Sequence, residues 1–68
     1  MMEVVLKVDG MSCDACVRHV TNAISAIPGV ESARVSLADG KAVVCYNSAL
    51  VGVPQMVEAI EEEGYEAS

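Results

Sequence analysis

Cys13 and Cys16 are the residues of this chain best suited to chemistry, and they lie in the stretch GMSCDAC at residues 10–16. An alternating apolar run, Val4–Leu6–Val8, precedes them, and a helical pattern begins immediately behind them. That order places the pair on a loop entering a helix N-terminus, where free backbone N–H groups and the helix dipole favour negative charge. Thiolates are negative, so such a position lowers a cysteine's pKa and readies the sulfur as ligand or nucleophile. Two soft thiolates with no constellation of carboxylates or imidazoles beside them suit a soft ion of low coordination number. Copper(I) comes first, then silver(I) or mercury(II). Zinc(II) wants four ligands, and no second cysteine pair exists to complete them. The other chemistry open to C-x-x-C at a helix start is dithiol redox exchange. Against it, the chain is short, has neither Trp nor Pro beside the pair, and carries Pro28 only in a turn.

Other side chains carry weaker signals. Gly10 supplies backbone freedom where the strand ends. Cys13, earlier on the loop, is expected to be the more exposed sulfur, and Cys16, in the first helical turn, the more fixed. Asp14 reads as a favourable charge in that turn. His19, one turn beyond Cys16, reads as a surface histidine ahead of a third ligand. Cys45 falls on the strand face opposite Val44 and Tyr46, near Val5 and Val43, and reads as an ordinary strand residue. Glu61-Glu62-Glu63 stand where a helix C-terminus prefers cations, and read as a solvated face ahead of a docking surface for a basic partner.

The elements that hold the pair follow from periodicity. Residues 3–9 alternate as a half-buried strand with Val4, Leu6 and Val8 inward. Residues 14–27 carry Cys16, Val20, Ala23, Ile24 and Ile27 on one helical face, and Pro28-Gly29 ends that helix. Residues 30–37 alternate with Ala33, Val35 and Leu37 inward. Asp39-Gly40 marks a hairpin, and 41–46 return with Ala42, Val44 and Tyr46 inward. A loop is expected from Asn47 to Val53. Pro54 then opens a second helix with Val53, Met56, Val57 and Ile60 on its apolar face, and Gly64 closes it. Residues 65–68 remain for a short last strand. The order strand–helix–strand–strand–helix–strand, with right-handed crossovers, predicts an α+β, ferredoxin-like βαββαβ sandwich. Its four-stranded antiparallel sheet has both helices on one face. Three connections then share one end: residues 10–13, Asp39-Gly40 and Gly64-Tyr65. Tyr65 is therefore expected near the cysteines.

Bulk properties narrow the functions. Sixty-eight residues read as a single domain, 1–68, with a core built from aliphatic side chains because Tyr46 and Tyr65 are the only aromatics. The net charge of −6 argues against a nucleic-acid partner. No apolar run reaches the ~18 residues of a membrane span, and the first residues lack a signal-peptide layout. Three cysteines is an odd count for a secreted disulfide scaffold, so a soluble, cytoplasmic protein is expected.

GMSCDAC, after a strand and before a helix within a βαββαβ pattern of this length, resembles the heavy-metal-associated domain, whose signature is GMxCxxC. Gly10, Met11, Cys13 and Cys16 carry the match, which extends over nearly the whole chain. Gly64-Tyr65 resembles bacterial members, whereas eukaryotic chaperones have lysine in this region. The family includes small copper chaperones, N-terminal domains of copper and zinc P-type ATPases, and mercury-binding proteins. The resemblance implies that Cys13 and Cys16 hold the metal, that Met11 tucks inward to anchor the loop ahead of serving as a thioether ligand, and that Tyr65 shields the site, with core filling at the strand start the equal alternative for Tyr65. Ser12 is closer to the copper members than to the zinc ones, which often carry an acidic residue there. The reading is a non-enzymatic copper(I) chaperone that passes its ion to a P-type ATPase or another CxxC domain by thiolate exchange. It would be a monomer or a metal-bridged homodimer without membrane insertion. The initial methionine favours a free protein. The alternatives are a metal-binding domain of a copper or zinc ATPase, a mercury-binding relative, a dithiol oxidoreductase, and an interaction module built on the open sheet.

Overall fold

The computed structural model describes residues 2–68. Its elements run β1 (Met2–Asp9), α1 (Asp14–Ser25), β2 (Val30–Ser36), β3 (Lys41–Tyr46), α2 (Val53–Glu62) and β4 (Glu66–Ala67). The strands form one antiparallel sheet in the order β2-β3-β1-β4. Strand alternation sends Leu6 and Val8 of β1 and Ala42, Val44 and Tyr46 of β3 inward, where all are buried. Helical spacing brings Val20 and Ile24 of α1 and Met56 and Ile60 of α2 onto them, each fully buried. This aliphatic layer is the core, with Met11, Tyr65 and Ala67 packed at its margin. Both helices lie on one face, as the ferredoxin-like reading expects.

α2 starts at Gly52, whose N–H donates to Gln55 Oε1 at 3.0 Å, with Pro54 in the first turn. It ends in a left-handed cap: Gly64 has φ +93°, and the Tyr65 N–H reaches back to the Ile60 carbonyl at 3.3 Å. Two local expectations fail. α1 stops at Ser25, two residues short, although Ile27 still packs against the core. Leu37 is 37% exposed instead of inward, because β2 ends at Ser36 and the chain turns at 37–40. There the Ser36 hydroxyl donates to the Asp39 carboxylate at 3.2 Å. The connection after β3 is a loop as expected, and Val51 is buried within it. β2 also carries a bulge between Val30 and Ser32, which leaves Glu31 without a pairing partner.

Candidate metal centre

The three connections expected at one end do meet there. The Val8 N–H donates to the Gly40 carbonyl at 2.8 Å, tying the hairpin to the end of β1. A Cβ added at Gly10 would touch Tyr65 Cδ1 at 3.4 Å, so the tyrosine ring lies over the start of the cysteine loop. Gly10 itself has φ +97°, a conformation that turns the chain out of β1 and that L side chains resist. Met11, one residue on, is half-buried against the core.

Cys13 occupies the N-cap of α1 in extended conformation and makes no side-chain cap bond. Its carbonyl instead accepts from the Cys16 N–H at 3.0 Å and the Val17 N–H at 3.4 Å, which fixes the first turn. The Cys13 thiol is left exposed, while Cys16 is half-buried on the first turn, as their positions in the sequence suggest. The two sulfurs stand 3.6 Å apart, far beyond the ~2.05 Å of a disulfide, and both are free thiols.

Four groups surround the Cys16 sulfur. The Ser12 backbone N–H has the largest effect in lowering its pKa, followed by the Tyr65 hydroxyl and the Cys13 thiol, while partial burial opposes them. The balance lowers the thiol from 9.0 to about 6, so Cys16 is a thiolate at neutral pH. Ser12 Oγ lies 3.9 Å from the same sulfur. Tyr65 shows the reciprocal effect: donating to that thiolate, it is raised from 10.0 to about 12. The part played by the Ser12 main chain was not legible in its side chain. It depends on the loop turning an amide toward sulfur, which composition does not encode.

His19 is exposed on α1, and among the described residues no group of three or more His, Cys, Asp or Glu is placed to hold a metal ion. Neither His19 nor Asp14 therefore adds a third such ligand to the pair. Cys45 faces away from the core on β3, where its thiol donates to Glu3 Oε2 at 3.6 Å. Glu61, Glu62 and Glu63 are exposed at the end of α2. No helix among the described residues is long and apolar enough to cross a membrane.

A loop presenting one exposed and one half-buried thiol, above a ferredoxin-like sandwich, defines a class of small domains built around a two-sulfur site. The heavy-metal-associated domain profile matches residues 5–66, and the chain belongs to that family. A curated relative, the copper chaperone CopZ of Staphylococcus aureus, is 44% identical over 66 residues, covering 97% of each chain. A solved CopZ metallochaperone superposes with a TM-score of 0.96 at 42% identity, over 98% of this chain and 100% of the other. A copper-binding domain of the P-type ATPase HMA7 superposes with a TM-score of 0.98 at 35% identity, over 100% and 92%.

Proposed function

We propose that the chain carries copper(I) between Cys13 and Cys16 and passes it, by exchange of thiolates, to a C-x-x-C domain of a copper-transporting P-type ATPase. The observation that carries this reading is the asymmetry of the pair. Cys16 is a low-pKa sulfur held by an amide and a hydroxyl, and Cys13 is an exposed sulfur 3.6 Å away. Copper(I) is the cargo, and a soft d¹⁰ ion accepts two thiolates as a complete shell. With metal–sulfur bonds of roughly 2.3 Å, the zinc–thiolate length, a linear arrangement needs sulfurs about 4.6 Å apart. Closing the gap from 3.6 Å asks one sulfur to move by about 1 Å. Cys13, exposed at the N-cap, is the one free to do so.

The same asymmetry orders the transfer. An incoming thiolate approaches from the open side of the loop and adds as a third ligand. Cys13, the exposed sulfur at the N-cap, then leaves first, and Cys16, half-buried on the first turn of α1, releases last. The ion is never free. The role is that of a carrier, with the family and the names of the relatives in support.

The HMA7 superposition supports a second reading, in which the same site receives copper as a metal-binding domain of such an ATPase. Anaerobic titration of reduced protein with copper(I) against a chromophoric chelator tests the common core. One tight equivalent is expected, with affinity falling at least 100-fold in Cys13→Ser and in Cys16→Ser. Retention of tight binding in either variant counts against the assignment. X-ray absorption should show sulfur neighbours only. Transfer to an isolated C-x-x-C domain then separates donor from acceptor.

A further inference from the structure

A concavity of about 220 Å³ opens on the sheet face that carries no helix, lined by Glu3, Ser32, Arg34, Val43 and Cys45. The register explains this lining. Ser32, Cys45 and Glu3 form one cross-strand row, and Arg34 and Val43 begin the next. A half-buried thiol is therefore flanked by a carboxylate on β1 and a guanidinium on β2. The thiol donates to Glu3 Oε2 at 3.6 Å. Lys7 and Lys41 stand one row beyond Val5 and Val43, with Asp9 and Glu66 beyond them, so these four charges lie outside the concavity. One anion and one cation are left to face whatever enters it.

We propose that the concavity binds a small zwitterionic disulfide of the cystine type and that Cys45 is modified there by thiol–disulfide exchange. Size, charge and the thiol select that ligand together. The space holds roughly seven water volumes, the bulk of a half-cystine, which is too little for a folded partner. The Arg34 guanidinium offers its fork to the α-carboxylate. The second Glu3 oxygen is left for the α-ammonium, and the Cys45 thiol meets the disulfide sulfur between them. A metal ion is poorly served, because it would find one thiol and one carboxylate, and among the described residues no third such ligand joins them.

In the exchange, Glu3 Oε2 takes the Cys45 proton and the thiolate attacks one sulfur of the ligand. The ligand's S–S bond breaks, a new S–S bond joins Cys45 to the bound half, and the departing thiolate recovers the proton. The disulfide is the oxidant, and one small thiol leaves for each Cys45 modified. The adduct then persists. From Glu3, beside Cys45, to Asp9 runs about 20 Å of strand, which holds the Cys13–Cys16 loop out of reach. Cys13 and Cys16, with sulfurs 3.6 Å apart, instead resolve an adduct of their own by closing on each other.

The test exposes the reduced, metal-free chain to sub-millimolar cystine, cystamine or dithiodipropionate, which present zwitterions, ammoniums and carboxylates respectively. Intact mass and peptide mapping follow the Cys45 adduct, in the original chain and in one carrying Cys13→Ser and Cys16→Ser, where no other thiol competes. Cystine is expected to react fastest, although the net charge of −6 draws the dication more strongly. Arg34→Gln and Glu3→Gln should each slow the cystine reaction roughly fivefold or more, the scale of one surface charge contact. Lys41→Gln changes the net charge as Arg34→Gln does but lies outside the concavity, and should leave the rate within about twofold of the original. Cystamine reacting fastest, equal effects of Arg34→Gln and Lys41→Gln, or no adduct at Cys45 would overturn the proposal.

Discussion

The two ends of the sheet each hang on a glycine with nearly the same backbone angle, and they use it to opposite ends. Gly29, with φ +98°, lies at the end remote from the cysteines, and Gly10, with φ +97°, lies beside them. At Gly29 an added Cβ would lie 2.7 Å from Leu50 Cβ and 3.1 Å from a Val51 methyl. The backbone around it is pinned: the Asn47 N–H donates to the Gly29 carbonyl at 2.7 Å, and the Leu50 and Val51 N–H groups both reach the Asn47 carbonyl. At Gly10 the nearest neighbour is the Tyr65 ring at an ordinary 3.4 Å. One end is closed by packing and main-chain bonds. The other is held by a ring laid across a turn and leaves its sulfurs within reach of solvent. Stability is concentrated where nothing is exchanged, and accessibility where an ion must enter and leave.

Replacing each glycine by alanine breaks that contrast or sharpens it. Gly29→Ala forces an L side chain into the left-handed region and also into Leu50 Cβ, an atom that moves only with its backbone. The expected loss is about 2–4 kcal/mol, out of a total of roughly 3–10 kcal/mol for a chain of this length. Urea unfolding of the reduced protein measures it. Copper stoichiometry below the transition should stay at that of the original chain. Gly10→Ala carries the conformational cost alone, about 1–2 kcal/mol, but disturbs the Tyr65 contact and so raises the Cys16 pKa. Equal stability losses for the two variants would show that the ends do not differ as described. An unchanged Cys16 titration in Gly10→Ala would show that the ring does not depend on the turn.

The sequence carried the site more fully than it carried the margins of the fold. Alternation and helical spacing suffice to order six elements, and element order suffices to bring Tyr65 to the cysteines across fifty residues. Cys13 and Cys16 differ in exposure because one precedes the helix and the other is inside it, a distinction visible in GMSCDAC itself. What escaped depends on contacts distant in the chain or on main-chain direction. Val51 is buried because the Gly29 turn lies against it, and an apolar residue in an aperiodic stretch gives no sign of that. Leu37 points outward because the hairpin takes four residues and β2 ends one residue early. The Ser12 amide acts on Cys16 through a backbone orientation that no side-chain pattern records.

The smallest expected effect isolates the hydroxyl from the amide. The Cys16 thiol is lowered from 9.0 to about 6 in the folded chain, so between these values the unfolded state binds more protons and stability rises with pH. The contribution is complete above pH 9 and is lost as pH falls through about 6. Tyr65 acts in the opposite sense: raised from 10.0 to about 12, it favours the fold below pH 10, and that contribution is lost as pH rises through about 12. Both stability contributions are complete together only between pH 9 and 10, although in the folded chain the thiolate and the hydroxyl coexist from about pH 6 to about 12. Tyr65→Phe keeps the ring over Gly10 and removes only the donor. The slope of melting temperature between pH 6 and 9 should become shallower without vanishing, since the Ser12 amide, the larger cause, remains. Thiolate absorbance should show Cys16 titrating at a higher pH than in the original chain, and copper(I) affinity should begin to fall at correspondingly higher pH, where a proton starts to compete for the sulfur. Identical slopes in the two proteins would assign the whole effect to the loop backbone and leave Tyr65 as packing alone.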